Sequence, residues 1–444
     1  MRIAYIAAGA AGMYCGSCLR DNALATGLKA LGHEVALVPT YTPIRTEDDG
    51  VSIDRVFYNG INVYLQQQSS FFRNRHPIID RMLDSGPVVR WLARMNASTD
   101  ARDLGALTVS VLEGEEGNQK KELAKLVAWL RDDYKPDIVQ ITNSMLAGLA
   151  REIRRALDVP VLCAMQGEDI FLDDLIEPYR SRAMSVLRER AADMDGFIAT
   201  SRYYADFMSE YIGVPRERIH PVRLGIRLEG HGLLEGPGRP TDITIGYLAR
   251  ICPEKGLHHL VAAFDILYRK AGRQGLRLKV AGYLGKRDHT YFESIQSDVR
   301  QRGLADAVDF VGEVTRSEKM TFLSTLDMLS VPTDYREPKG LFVLEAMANG
   351  VPVVQPAHGA FPELVEDTGG GILVEPGDPE ALAAGLSRLI EDADLRRRMG
   401  EQGRRAVHDG YGHLAMARET EAVFRHYLGQ TAFVETESLQ EGRR

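Results

Sequence analysis

The sequence predicts an α/β protein built from two Rossmann-like units, each a parallel sheet covered by helices on both faces. Three observations carry this. Short apolar runs rich in Val and Ile recur along the chain, helical stretches lie between them, and one polar, Gly/Pro-rich segment, Glu229 to Thr241, divides the series in two. In the first half the strand candidates are Ile3 to Ala7, Glu34 to Pro39, Gly60 to Tyr64, Asp137 to Ile141, Val159 to Ala164 and Gly196 to Thr200. Helical stretches such as Arg20 to Leu31 and Lys120 to Arg131 separate them. In the second half the candidates are Ile243 to Leu248, Arg277 to Gly282, Val308 to Val311, Met328 to Val331, Val351 to Val354 and Gly371 to Val374. His413 to Leu428 reads as a last helix, and the charged tail is expected to be disordered. The expected divisions are therefore a first domain over 1–228, a linker over 229–241, a second domain over 242–411, a helix within 412–430 and a tail over 431–444.

Composition sets bounds without naming a function. A chain of 444 residues can bury more than one core. A net charge of −8 and an isoelectric point near 5.8 argue against a general nucleic-acid binder. No apolar run reaches the roughly 18 residues of a membrane span, and Met1 to Ile6 runs into a glycine loop rather than a signal-peptide core. With only four cysteines, the expected location is the cytoplasm.

The most informative segment is Glu337-Pro-Lys-Gly-Leu-Phe-Val-Leu-Glu345-Ala-Met-Ala-Asn-Gly350-Val-Pro-Val-Val. Pro338 and Gly340 mark a loop, Leu341 to Asn349 is a good helix former, Gly350 suits a C-cap and Val351 to Val354 reads as a buried strand. One carboxylate thus lies in a loop and the other on the following helix. The N–H groups of Gly340, Leu341 and Phe342 open that helix and suit phosphate oxygens. Together these groups fit a nucleotide sugar: Glu337 for sugar hydroxyls, the amides for a diphosphate, Glu345 for a ribose. The competing reading is two solvated glutamates placed near a helix N-terminus by its dipole.

A second segment, Gly246-Tyr-Leu-Ala-Arg250-Ile-Cys-Pro-Glu-Lys255-Gly256-Leu, favours the first reading. A strand-like run ends in a loop with two cations, and Pro253 and Gly256 turn the chain into a helix from Leu257. Arg offers a planar fork and Lys a mobile point charge, so the pair suits a diphosphate whose charge grows as its bond to a sugar breaks. Alone, such a loop also reads as solvated surface. Paired with the glutamate loop downstream, it is specific.

On these residues the chain resembles the retaining nucleotide-sugar glycosyltransferases of the GT-B fold. This is the 4-like and group 1 family that includes sucrose-phosphate and glycogen synthases and phosphatidylinositol mannosyltransferases. The resemblance spans roughly residues 1 to 430. It implies two Rossmann-like domains facing a cleft, with a C-terminal helix crossing back to the first domain. It also implies that Arg250 and Lys255 hold the diphosphate, Glu337 the sugar and Glu345 the ribose. Gly359-Ala-Phe-Pro-Glu363-Leu-Val fits the loop and helix that follow. Near the start, Cys15-Gly16 stands before Gly32-His33-Glu34-Val35 where the family has Gly-Gly, so Gly16 inherits close backbone approach to the donor phosphate.

Two departures fall on the acceptor side. Where the family often has a cleft-lining histidine, this chain has Val161-Leu-Cys-Ala-Met-Gln166-Gly167-Glu168-Asp169. Gln166 can hydrogen-bond a sugar or acceptor but cannot carry a proton. Val222-Arg-Leu-Gly225-Ile-Arg227 replaces a common Asn-Gly-Val-Asp, with reversed charge at Arg227. Cys15-Gly-Ser-Cys18 has redox or half-zinc spacing, yet no second ligand pair accompanies it, so loop packing is expected. Asp193-Met-Asp195 looks like a metal-binding Asp-x-Asp but leads directly into a strand entry, and no His-x-x-x-His pattern occurs. No metal or cofactor is expected. The segment from Gln66 to Met95 mixes apolar and basic residues, as in Phe71-Phe72-Arg73-Asn74-Arg75. It reads either as an amphipathic helix on its own sheet or as a peripheral contact with a membrane or lipid-linked acceptor.

The expected activity is hexosyl transfer from a nucleoside diphosphate sugar to an acceptor hydroxyl, the acceptor being a glycan, a lipid-linked group or a small molecule. The alternatives are a GT-B epimerase, a phosphorylase, for which no pyridoxal lysine is identified, or an inactive nucleotide-sugar-binding module. A double-Rossmann dehydrogenase fits poorly, since Ala7-Ala-Gly9-Ala-Ala-Gly12 lacks the first glycine of the dinucleotide fingerprint.

Overall fold

The structure is a computed structural model that describes residues 1–8, 16–41, 57, 67, 101–232, 242–272 and 274–430. The strand expected at Gly60 to Tyr64, the residue Cys15, the tail and nearly all of the Gln66 to Met95 segment lie outside the described residues. The chain forms two compact units, Met1–Arg223 with Leu414–Arg444, and Leu224–His413.

In the first unit, β1 (Arg2–Ala7), β2 (Glu34–Pro39), β3 (Ile138–Ile141), β4 (Val161–Met165), β5 (Gly196–Ala199) and β6 (Ile219–Pro221) form a parallel sheet. Among the described residues its order is β2-β1-β3-β4-β5-β6. Ile3 to Ala7 are fully buried, as a strand covered on both faces requires. The period of two separates the layers. Ala4 and Ile6 join Ala36 and Val38 in a core shared with helices of the 101–212 region. Ile3, Tyr5 and Ala7 face the other way, onto Leu24 and Leu28 of helix Gly16–Ala30 and onto Met416, Ala417, Val423 and Phe424 of helix His413–Tyr427. The last helix therefore closes one face of the first sheet.

In the second unit, β7 (Ile243–Leu248), β8 (Leu276–Ala281), β9 (Val308–Gly312), β10 (Met328–Leu329), β11 (Val353–Pro356) and β12 (Gly371–Val374) are also parallel. Read from β9, the order is β9-β8-β7-β10-β11-β12. This is the doubly wound arrangement in which the chain works outward from the first strand, returns, and works outward the other way. The reversal lies between β7 and β10, and the loops leaving their carboxyl ends diverge there.

Differences from the sequence reading have local causes. The strand expected from Val351 starts at Val353, because the Val351 N–H is engaged in ending the preceding helix. It donates to Ala346 O at 3.0 Å while the Gly350 N–H donates to Met347 O at 2.8 Å, with Gly350 at φ +73°. Helix Gly16–Ala30 begins four residues before the expected start. The three-residue β6, with His220 and Pro221 in it, is too short and too polar to register as a strand. Among the described residues, no helix is long and apolar enough to cross a membrane.

Candidate functional site

In open α/β sheets, ligands bind beyond the carboxyl ends of the strands where the strand order reverses. In the second unit that point lies between the loop after β7, which carries Arg250 and Lys255, and the loop after β10, which carries Glu337. Two glycines allow these loops to approach other backbone closely. Gly256, at φ +67°, would place a Cβ 1.7 Å from Pro332 O, and Gly359, at φ +63°, would place one 2.5 Å from Glu337 O. The Ala360 N–H donates to Glu337 O at 2.8 Å, which fixes the glutamate from behind.

Lys255 and Glu337 meet directly, with Lys255 Nζ 2.6 Å from Glu337 Oε2. Tyr335 completes the group: its Oη donates to Glu337 Oε2 at 2.5 Å and accepts from Lys255 Nζ at 2.5 Å. The ammonium also lies 5.0 Å from the Tyr335 ring centroid and 5.2 Å from that of Phe342. Burial alone would raise the Glu337 carboxyl. The charge of Lys255, with hydrogen bonds from Lys255 and Tyr335, outweighs it and holds the group at about 2. Glu337 is therefore ionised at neutral pH. A buried ion pair of this kind contributes little net stability, so its presence at the reversal point reads as a binding feature. Arg250 is exposed, and its guanidinium has no ion pair or hydrogen bond among the described residues. The Tyr247 hydroxyl instead fixes its backbone by donating to Arg250 O at 2.9 Å.

The helix after this loop runs Leu341–Ala348, with Gly340 before it at φ +75°. The Gly340 N–H is directed to Glu337 Oε1 at 3.3 Å, as is that of Lys339. Leu341 and Phe342 are the first-turn residues whose amides have no acceptor within the helix. Glu345, a turn farther on, is paired with buried Lys319 at 2.7 Å. Sequence reading missed Tyr335 and Lys319. Tyr335 lies two residues before Glu337 in the same loop, within reach of an i, i+2 argument. Lys319 lies on a different helix, Arg316–Ser324, and no local pattern links it to Glu345.

The remaining candidates lie in the first unit. Gly16 is the first residue of helix Gly16–Ala30. Gln166, just past β4, is 3% exposed, and its Nε2 donates to Asp21 Oδ1 at 2.8 Å and to Thr142 O at 2.9 Å. Its Oε1 is buried without a partner. Asp21 also accepts from the Tyr5 and Thr142 hydroxyls. Burial raises its carboxyl, against the opposing charge of Arg20. Gln166 thus spends its donors on a buried network and retains one acceptor. Asp193 and Asp195 are engaged by arginines: Asp193 accepts from Arg151 Nε at 3.0 Å, and Asp195 pairs with Arg154 at 3.0 Å while accepting from the Val161 N–H at 2.8 Å. Cys18 is buried.

Comparison with known proteins gives the family and the fold. Residues 21–225 match the model of the glycosyl transferase 4-like domain, and residues 236–406 match that of the glycosyl transferases group 1. The chain is 24% identical over 353 residues to the glycogen synthase of Mycobacterium tuberculosis, covering 79% of this chain and 82% of that one. It is 32% identical over 298 residues to the D-inositol 3-phosphate glycosyltransferase of Corynebacterium jeikeium, covering 65% and 64%. Among solved structures it superposes on sucrose-phosphate synthase from Thermosynechococcus elongatus with a TM-score of 0.70 at 19% identity, over 97% of this chain and 100% of that one. The Anabaena HepE structure in complex with UDP and glucose gives 0.69 at 16%, over 95% and 98%. With two parallel α/β units matched in order by the 4-like and group 1 models, the chain belongs to the GT-B glycosyltransferases.

Proposed function

We propose that this chain transfers a hexosyl group, with retention, from a nucleoside diphosphate sugar to an acceptor hydroxyl, without a metal ion. The observation that carries the reading is the Lys255–Tyr335–Glu337 group at the strand reversal, beside Arg250 and the start of helix Leu341–Ala348. Arg250, Lys255 and the first-turn amides would hold the diphosphate, Glu337 would accept bonds from sugar hydroxyls, and Glu345 would accept from the ribose. The acceptor oxygen would form its bond to the anomeric carbon on the face from which the diphosphate leaves. The carbon–oxygen bond to the diphosphate breaks with its electron pair, and the acceptor proton passes to a donor phosphate oxygen. No enzymic nucleophile is needed. The chain's contribution is orientation and stabilisation of the departing charge. The solved Anabaena relative named above was captured with UDP and glucose, which supports a nucleotide-sugar donor of this class.

The deciding experiment is a panel of radiolabelled UDP-, GDP- and ADP-sugars followed for slow hydrolysis, with and without excess chelator. One donor should be hydrolysed, and Lys255→Ala should lower that rate by about 100-fold or more. Hydrolysis of none, or complete loss in chelator restored by Mn²⁺ or Mg²⁺, would overturn the proposal.

A further inference from the structure

Beside the donor loops lies a cluster that the proposed transfer does not use. His258 and His259 are consecutive residues in the first turn of helix Leu257–Lys270, and Asp334 lies in the loop after β10. One ligand atom from each of the three lies within 4.8 Å of the others. His259 Nε2 is 2.7 Å from Asp334 Oδ1, and His258 Nε2 is 3.6 Å from Asp334 Oδ2. The two imidazoles have centroids 4.0 Å apart and are tilted by 42°, so both present Nε2 toward one carboxylate. We propose that His258, His259 and Asp334 form a site for one divalent transition ion of the zinc class.

Two imidazoles and a carboxylate are the donors that zinc and its neighbours prefer, and three protein ligands leave a fourth position for water or another ligand. Tetrahedral coordination with bonds of about 2.0–2.2 Å places donor atoms roughly 3.4 Å apart. Binding would require the 2.7 Å contact to open and the wider separations to close. The surroundings already orient the ligands. His258 Nδ1 is 3.0 Å from Tyr291 Oη, which also accepts the His258 backbone N–H at 3.2 Å. Donation from Nδ1 to that hydroxyl leaves the Nε2 lone pair for a metal. Asp334 is fixed by its own N–H, which donates to Glu254 O at 3.0 Å. The carboxylate is exposed and the histidines are half-buried, so an ion can load from solution. The site itself stands on its own ligands and does not depend on what the donor loops bind.

The test uses the full chain, dialysed free of metal and titrated with Co²⁺ by visible absorption. One equivalent should give the band of a four-coordinate nitrogen–oxygen site, and Zn²⁺ should displace it. Asp334→Asn, which keeps the side-chain shape, and His259→Ala should each abolish the band while circular dichroism remains unchanged. Tyr291→Phe should keep the band but weaken affinity by about 10- to 100-fold. A chain with both Cys15 and Cys18 changed to Ser should bind as the parent does. The proposal is overturned by absence of the band in the parent, by its persistence in both Asp334→Asn and His259→Ala, or by its loss in the cysteine variant.

Discussion

At the scale of single residues, the two glutamates should separate by role. Glu337 is held by Lys255 and Tyr335, whereas Glu345 is held by Lys319. If Glu337 faces the transferred sugar, Glu337→Gln should cut transfer sharply and leave affinity for free nucleoside diphosphate within a few-fold, because that ligand lacks the transferred hexose. Glu345→Ala should weaken free nucleotide by about 1–3 kcal/mol, the value of a lost charged hydrogen bond. Calorimetric titration with UDP, GDP and ADP reads the contrast, and the reverse pattern would turn the donor around. Gln166 makes a different case. Gln166→Ala leaves Asp21 Oδ1 and Thr142 O short of a buried donor, which should cost about 1–3 kcal/mol in chemical denaturation. Unchanged stability would mean that the buried network does not depend on this amide. The residues most legible in the sequence were those whose chemistry is local: cations after a strand, a carboxylate before a helix. Tyr335 and Lys319 act through tertiary approach, and Lys319 had no local signal at all.

At the scale of elements, the glycine that admits the Lys255 loop is open to direct test. A Cβ at Gly256 would lie 1.7 Å from Pro332 O, backbone that cannot swing aside, in a conformation with φ +67°. Gly256→Ala should therefore displace the Lys255 turn and weaken nucleotide binding, with thermal stability falling as well. Wild-type affinity in this variant would show that the turn does not position the ligand. Strand cores were legible because residues buried on both faces leave unbroken apolar runs, as in Ile3 to Ala7. Element ends were less so. Val351 looks like a strand residue by type, but its N–H belongs to the helix terminus before it, a backbone geometry that side-chain identity does not report.

At the scale of the whole molecule, the buried ionisable groups set a pH profile whose sign can be worked out. Burial lowers His220 and His231 to about 4, against an unfolded value near 6.5. Between those limits the unfolded chain binds more protons, so stability is complete above about pH 6.5 and declines as pH falls toward 4. Each fully expressed shift corresponds to something on the order of 3 kcal/mol. Glu337 acts lower. Its folded value of about 2 lies below the unfolded carboxylate range, so its contribution is present above about 4.5 and lost as pH falls through 2. Thermal unfolding midpoints should therefore hold level from pH 8 to 7, fall from about 6.5 to 4, and fall again below 4.5. His220 accepts or donates at 2.9 Å to Tyr427 on the last helix, and His231 sits 2.7 Å from Asn349 Nδ2. Replacing the two histidines by Gln and Asn should flatten the first decline and leave the second in place. Burial raises Asp169 to about 6 and acts with the opposite sign over the same range, so the parent and the histidine variant are compared directly: equal slopes from pH 6.5 to 4 in the two would refute the assignment of these histidines as buried and neutral.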